Sequence, residues 1–161
     1  MAGRIEKRID ELGLVLPAPL QLPPGLNVPL VMIKVLGKRV IVSGHGAQED
    51  DGSISQPLGQ VGKDVSIEQA TELARKTALA MVGTIQREIG DLDQIKYWVK
   101  VFGMVNSAPD FTDQTPVING FSDQIIEIFG KECGKATRSA VGMAQLPFGI
   151  PVEVEAELEL H

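Results

Sequence analysis

The chain has 161 residues and is 43% hydrophobic, enough for one domain whose core needs no metal or disulfide staple. Aromatics make up only 4%, a poor supply for stacking nucleobases, and a net charge of −6 with scattered Lys and Arg opposes general nucleic-acid binding. No run approaches the roughly 20 apolar residues that cross a bilayer, the charged start from Met1 to Lys7 lacks an apolar leader core, and a lone Cys133 forms no intrachain disulfide, so a reducing, cytoplasmic setting is expected.

Residues 4 to 12 predict a short helix, with Ile5, Ile9 and Leu12 on one face. Pro17, Pro19, Pro23 and Pro24 forbid regular structure and imply an extended surface linker. Residues 30–36 and 39–43 are Val/Ile-rich runs joined by Gly37-Lys38, the pattern of a β-hairpin. The second run leads into Ser43-Gly44-His45-Gly46, followed by an acidic loop over 49–52.

Ser66-Ile67-Glu68-Gln69 has the form of a capping box. From it Ala70, Leu73, Ala74, Thr77, Met81, Ile85 and Ile89 trace a core-facing helical stripe that Gly90 ends. Residues 95–105 read as a strand. A second long helix is expected with Thr115 as N-cap, Pro116 in the first helical position and Gly130 just past the end. Its apolar set is Val117, Phe121, Ile125, Ile126 and Phe129. Two strands close the chain, 137–146 and 151–160. In the last, Val152, Val154, Ala156, Leu158 and Leu160 alternate with Glu153, Glu155, Glu157 and Glu159. The expected fold class is α+β, a single mixed β-sheet with two main helices packed on one face. The open sheet face then needs cover, most simply from another subunit.

Most catalytic and metal signatures are missing: no HExxH, no CxxC, no P-loop and no Gly-x-Ser-x-Gly. With two histidines, one of them terminal, no multi-histidine metal site is expected and no cofactor is required. Cys133 lies in a turn after the helix with no evident base. Arg138 begins a strand of small residues (Ser139, Ala140, Gly142, Ala144), where a long cation has room to enter a cavity and grip a carboxylate through two parallel hydrogen bonds. The bland reading is a strand-end arginine in a surface salt bridge. Glu153 reads either as a solvent-facing glutamate or as a base. Ser43 and Gly44 end a strand, where backbone amides often meet ligands, and His45 titrates near neutrality.

The block Arg138-Ser139-Ala140-Val141-Gly142-Met143-Ala144-Gln145-Leu146-Pro147, followed by Val152-Glu153-Val154-Glu155-Ala156, resembles the C-terminal signature of the RidA/YjgF family. Val42-Ser43-Gly44 resembles the family's serine-glycine strand end, and Asn119 falls where the family often has an asparagine. The likeness runs from about residue 27 to residue 160, with residues 1–26 forming a helical and proline-rich extension of a single domain spanning 1–161. The segments 105–109 and 118–123 resemble a less characterised branch described as chorismate-mutase-like or endoribonuclease.

The resemblance implies a homotrimer with a central β-barrel and three inter-subunit clefts, and hydrolysis of reactive enamine/imine intermediates of small 2-amino acids to 2-keto acid and ammonia, with no metal or organic cofactor. In that reading Arg138 clamps the substrate carboxylate, Glu153 positions or activates water, and Ser43, Gly44, His45 and Asn119 bind substrate. The chain departs from the family at Ala140, where a cysteine is usual, at His45, where Gln is frequent, near Asn27-Val28, where a tyrosine is common, and in a longer 111–119 segment. The departures keep a non-catalytic small-carboxylate binder open as the alternative. A ribonuclease is opposed by the acidic charge and the scarcity of aromatics.

Overall fold

A computed structural model describes residues 3–161; Met1 and Ala2, in the charged start read above, lie outside them. The elements are α1 (Arg4–Glu11), β1 (Ile33–Leu36), β2 (Arg39–His45), α2 (Ile67–Ile89), β3 (Ile95–Asn106), α3 (Gln114–Gly134), β4 (Thr137–Met143) and β5 (Val152–Leu160). One five-stranded mixed sheet has the order β1-β2-β5-β3-β4. Only β3 and β4 run parallel, with α3 as their crossover. β5 enters between β2 and β3 and pairs antiparallel with both. The α+β architecture expected from the element order is the one observed.

The local signals explain the elements. Ser66 accepts from the Gln69 amide while the Gln69 side chain accepts from the Ser66 amide, so the capping box is closed at both bonds. Its stripe reaches the core: Ala70, Ala74, Met81 and Ile85 are fully buried. Helix α3 corrects two expectations. It starts at Gln114 with Asp113 as N-cap, which puts Pro116 two residues further in; proline is still tolerated there because first-turn amides have no intrahelical acceptor. Gly130 takes φ +80°, but the chain re-enters helix and ends at Gly134. Ile128, not Ile126, joins the buried face.

The helices sit on one face of the sheet, and close approach needs glycine at two points. A Cβ on Gly120 would strike the Thr71 carbonyl of α2, and one on Gly103 would lie 2.7 Å from Ile118 of α3. Trp98 anchors this layer, packed edge-on to Phe121 with ring centroids 6.0 Å apart and tilted against Phe129 at 5.6 Å. The opposite face carries a smaller apolar cluster of Met104, Leu146 and Ile150, flanked by Phe102, Val141 and Met143. On it the glutamates of β5 stand out of the core, as the alternation predicts. Residues 18–31 are exposed and without regular structure, the extended linker that four prolines demand.

Candidate functional site

Two polar centres are built by this frame, on opposite faces of the sheet. The first surrounds Arg138, which lies opposite Val101 in the parallel ladder and so points to the helix side. Its Nη1 donates to Asn119 Oδ1 at 2.9 Å and to Ser122 Oγ at 3.0 Å. Asn119 and Ser122 are three apart on α3 and therefore share a face, and the Ile118–Gly103 contact holds α3 against β3, the neighbour of β4. Among the described residues Arg138 forms no ion pair, which sets aside the surface salt bridge considered for it. Both Nη1 protons are used on neutral acceptors. Nε and Nη2, the edge that binds a carboxylate bidentately, have no side-chain partner among the described residues. Ser122 was not singled out from sequence; its spacing from Asn119 was the available signal.

The second centre surrounds Glu153. Glu157 pairs with Arg39 at 2.6 Å and Glu159 with Lys96 at 3.4 Å, whereas Glu153 and Glu155 have no cationic partner among the described residues. Burial first, then the charge of Glu155, pushes the Glu153 carboxyl above the ordinary glutamate range. It borders a cavity of about 410 Å³ together with Gly44, Gly46, Met32, Ile54 and Phe148. Gly44 touches it so closely that a Cβ there would collide with Glu153 Oε1.

A β-bulge explains that contact and the fate of His45. Val42 pairs with Ala156 but His45 pairs with Val154, so β2 uses three steps where β5 uses two. The extra residue turns Gly44 toward Glu153 and rotates His45 to the helix side. His45 is 3% exposed, with Nδ1 donating to the Ser43 carbonyl at 2.7 Å and Nε2 facing Thr84 Oγ1 at 3.0 Å. Burial, with a contribution from Arg87, lowers its pKa. The structure therefore does not bring His45 into the cavity. Ser43 is also committed: its hydroxyl donates to the Val31 carbonyl at 2.8 Å and its amide to Met32 at 2.9 Å. Ser43 acts here on the linker rather than on open space.

Arg138 and Glu153 do not meet within one chain. Arg138 is level with Val101 and Glu153 with Met104, three rungs and two strand spacings apart, about 14 Å along the sheet, and on opposite faces. Cys133 sits in the last turn of α3 with Sγ 3.7 Å from the Ile95 carbonyl, and burial raises its pKa, so the thiol stays protonated. Among the described residues no His/Cys/Asp/Glu group could hold a metal ion, and no helix is long and apolar enough to cross a membrane.

No family model matches the chain. Protein TCP17 of Trypanosoma cruzi is 41% identical over 160 residues, which span 99% of this chain and 96% of that protein. Among solved structures, Atu1372 of Agrobacterium tumefaciens, of unknown function, is 35% identical with a TM-score of 0.86, covering 98% of this chain and 92% of that one. A Shewanella oneidensis protein named for a suggested endoribonuclease activity is 23% identical with a TM-score of 0.85, covering 98% and 100%. Escherichia coli TdcF with bound serine is 22% identical with a TM-score of 0.54, covering 89% and 99%. Identity with TCP17 and with Atu1372 across nearly whole chains joins the three in one family, and the fold shared with TdcF and the Shewanella protein is the one that the resemblance of the 138–156 block to RidA/YjgF implies.

Proposed function

We propose that the protein is a hydrolytic deaminase of reactive imine and enamine intermediates of 2-amino acids, releasing 2-keto acid and ammonia, and that it works as a homotrimer in the cytoplasm. The observation that carries this reading is the open Nε/Nη2 edge of Arg138, held by Asn119 and Ser122 with no internal counter-charge. A cation so oriented suits a substrate carboxylate. Arg138 lies on the sheet-edge strand β4, from which it can reach a neighbouring copy. The site is then completed between two subunits, Arg138 from one and the Glu153–Gly44 corner from the other. The bound serine of TdcF supports a small 2-amino-acid skeleton as ligand.

In the proposed reaction Glu153 takes a proton from water as the oxygen adds to the imine carbon. The resulting carbinolamine is protonated on nitrogen, the C–N bond breaks, and ammonia leaves with the keto acid. The raised pKa of Glu153 brings it nearer the operating pH of a general base. Keto-acid release from an imino acid generated by an amino-acid oxidase tests the reading. Acceleration by the wild type and its loss in Arg138→Ala are expected; a rate no faster than buffer across several precursors sinks it.

One observation favours a second reading, a non-catalytic binder of small carboxylates: both the hydroxyl and the amide of Ser43 are already bonded to the linker, leaving them no role in chemistry. Calorimetry with keto acids that shows binding without turnover would select it.

A further inference from the structure

The cavity at Glu153 is larger and more apolar than a serine- or alanine-derived substrate requires. Its far wall is the linker after α1, which supplies Leu20, Leu22, Val28, Leu30 and Met32. That wall is tied down at both ends. Arg87 Nη1 donates to the Pro17 carbonyl at 2.9 Å, the Ala18 and Gln21 amides donate to the carbonyls of Asp50 and Gly52 at 2.9 Å, and Gln21 Nε2 donates to the Asp51 carbonyl at 2.6 Å. Ser43 holds the other end through Val31 and Met32. The leucines are thus presented by a fixed strap.

Phe148 borders the same cavity. It has φ +59°, a left-handed conformation that a bulky residue adopts only under constraint, and its ring borders the cavity while 44% exposed. Among the described residues the lining contains no Lys, Arg, His, Ser or Thr, and Glu153 is its only charged member. A charged or hydroxylated substrate side chain would lose water there without gaining a partner, whereas an aliphatic or aromatic one would cover leucines that are otherwise wet.

We infer that the strap carrying Leu20 and Leu22, with Phe148, forms a side-chain pocket that selects 2-imino acids with large apolar side chains, leucine- or phenylalanine-like, over those derived from alanine, serine or glutamate. This rests on the deaminase reading above for its chemistry, and on the cavity alone for its selectivity.

The test is a comparison of kcat/KM on imino acids generated from leucine, phenylalanine, alanine, serine and glutamate, with wild type and Leu22→Ser. The expected result is a preference of at least about tenfold for the two large apolar substrates, the size of effect that apolar side-chain burial supplies, and a severalfold smaller leucine-to-alanine ratio in the variant. Turnover with equal or greater efficiency on the alanine- or serine-derived substrate overturns the inference and leaves the deaminase reading standing. An unchanged ratio in Leu22→Ser, confirmed with Leu20→Ser, overturns the strap's part in it. If no imino acid is turned over, the deaminase reading falls, and calorimetry decides the pocket separately. Binding of 4-methyl-2-oxopentanoate and phenylpyruvate about tenfold tighter than pyruvate upholds it; equal or absent binding overturns it.

Discussion

Arg138 and Glu153, fifteen positions apart in the sequence block that marks the family, stand on opposite faces of one sheet. Arg138 faces α3 on the edge strand β4; Glu153 faces the linker cavity from β5. A mechanism that uses both must draw them from different subunits. Mixing inactive Arg138→Ala with inactive Glu153→Gln, after dissociation and reassociation, should restore part of the activity through clefts that pair the two intact residues. No recovery in assembled mixed oligomers would overturn a site shared by the two groups across subunits.

In the proposed site the grip of Arg138 on a carboxylate depends on its planar fork more than on its charge. Arg138→Lys should lower kcat/KM about 100-fold, because misplacing a bound substrate by an ångström costs that much. Asn119→Ala should act more weakly and chiefly on KM, since it frees Nη1 without removing the cation. Both variants should melt close to the wild type, because Arg138 is only half-buried and is held by neutral partners. Steady-state kinetics beside thermal melts distinguishes these outcomes from a general loss of fold.

Glu153 should leave a signature in stability as well as in rate. Its carboxyl titrates above the ordinary value of 4.5 in the folded chain, so the folded state holds a proton that the unfolded state releases. Stability attached to this group is present in acid and is lost as pH rises from 4.5 through the folded value. Glu153→Gln should therefore be more stable than wild type at pH 7, with the difference closing toward pH 4, and should be nearly inactive. Urea titrations of both proteins between pH 4 and 8 measure it; a difference that does not change with pH contradicts the burial argument.

His45 carries the opposite sign. Burial depresses its pKa below 6.5, so the unfolded chain takes up a proton first as the solution is acidified. Its contribution is intact above 6.5 and is lost as pH falls toward the folded value. Against His45→Gln, the wild type should lose relative stability between pH 7 and 5. The same variant should keep substantial activity, since the ring is turned toward Thr84 rather than toward Glu153.

Two glycines make contrasting predictions. Gly120→Ala drives a Cβ into the Thr71 backbone carbonyl, which cannot swing aside, and should cost about 1–3 kcal/mol as α2 and α3 are forced apart. Gly44→Ala meets the end of the Glu153 side chain instead, which can move. It should fold nearly normally while displacing the carboxyl and lowering turnover, a split that melting and activity assays read directly.

By itself the sequence determined the elements and the layer they form. The capping box at Ser66, the hydrophobic stripe of α2 and the period-two glutamates of β5 are local patterns, and local patterns follow from the backbone period alone. It also placed Arg138 and Glu153 among the residues of interest through the 138–156 block, Gly44 through the serine-glycine end of β2, and Asn119 through its place near the start of α3. What only the tertiary structure decided are the relations between distant segments. Periodicity names four equivalent glutamates; the pairing of β5 with β2 and β3 satisfies two of them and leaves Glu153 beside a cavity. Adjacency in sequence suggests that His45 follows Ser43 and Gly44 into a site; a single extra residue in β2 turns it into the core, because one added residue reverses the face of every side chain after it. The proline-rich linker reads as a surface excursion, and it is one, yet its hydrogen bonds to the 50–52 turn and to Ser43 make it the wall of the pocket. Those bonds join residues 11 to 32 positions apart, and no local pattern encodes which carbonyl a distant amide will find.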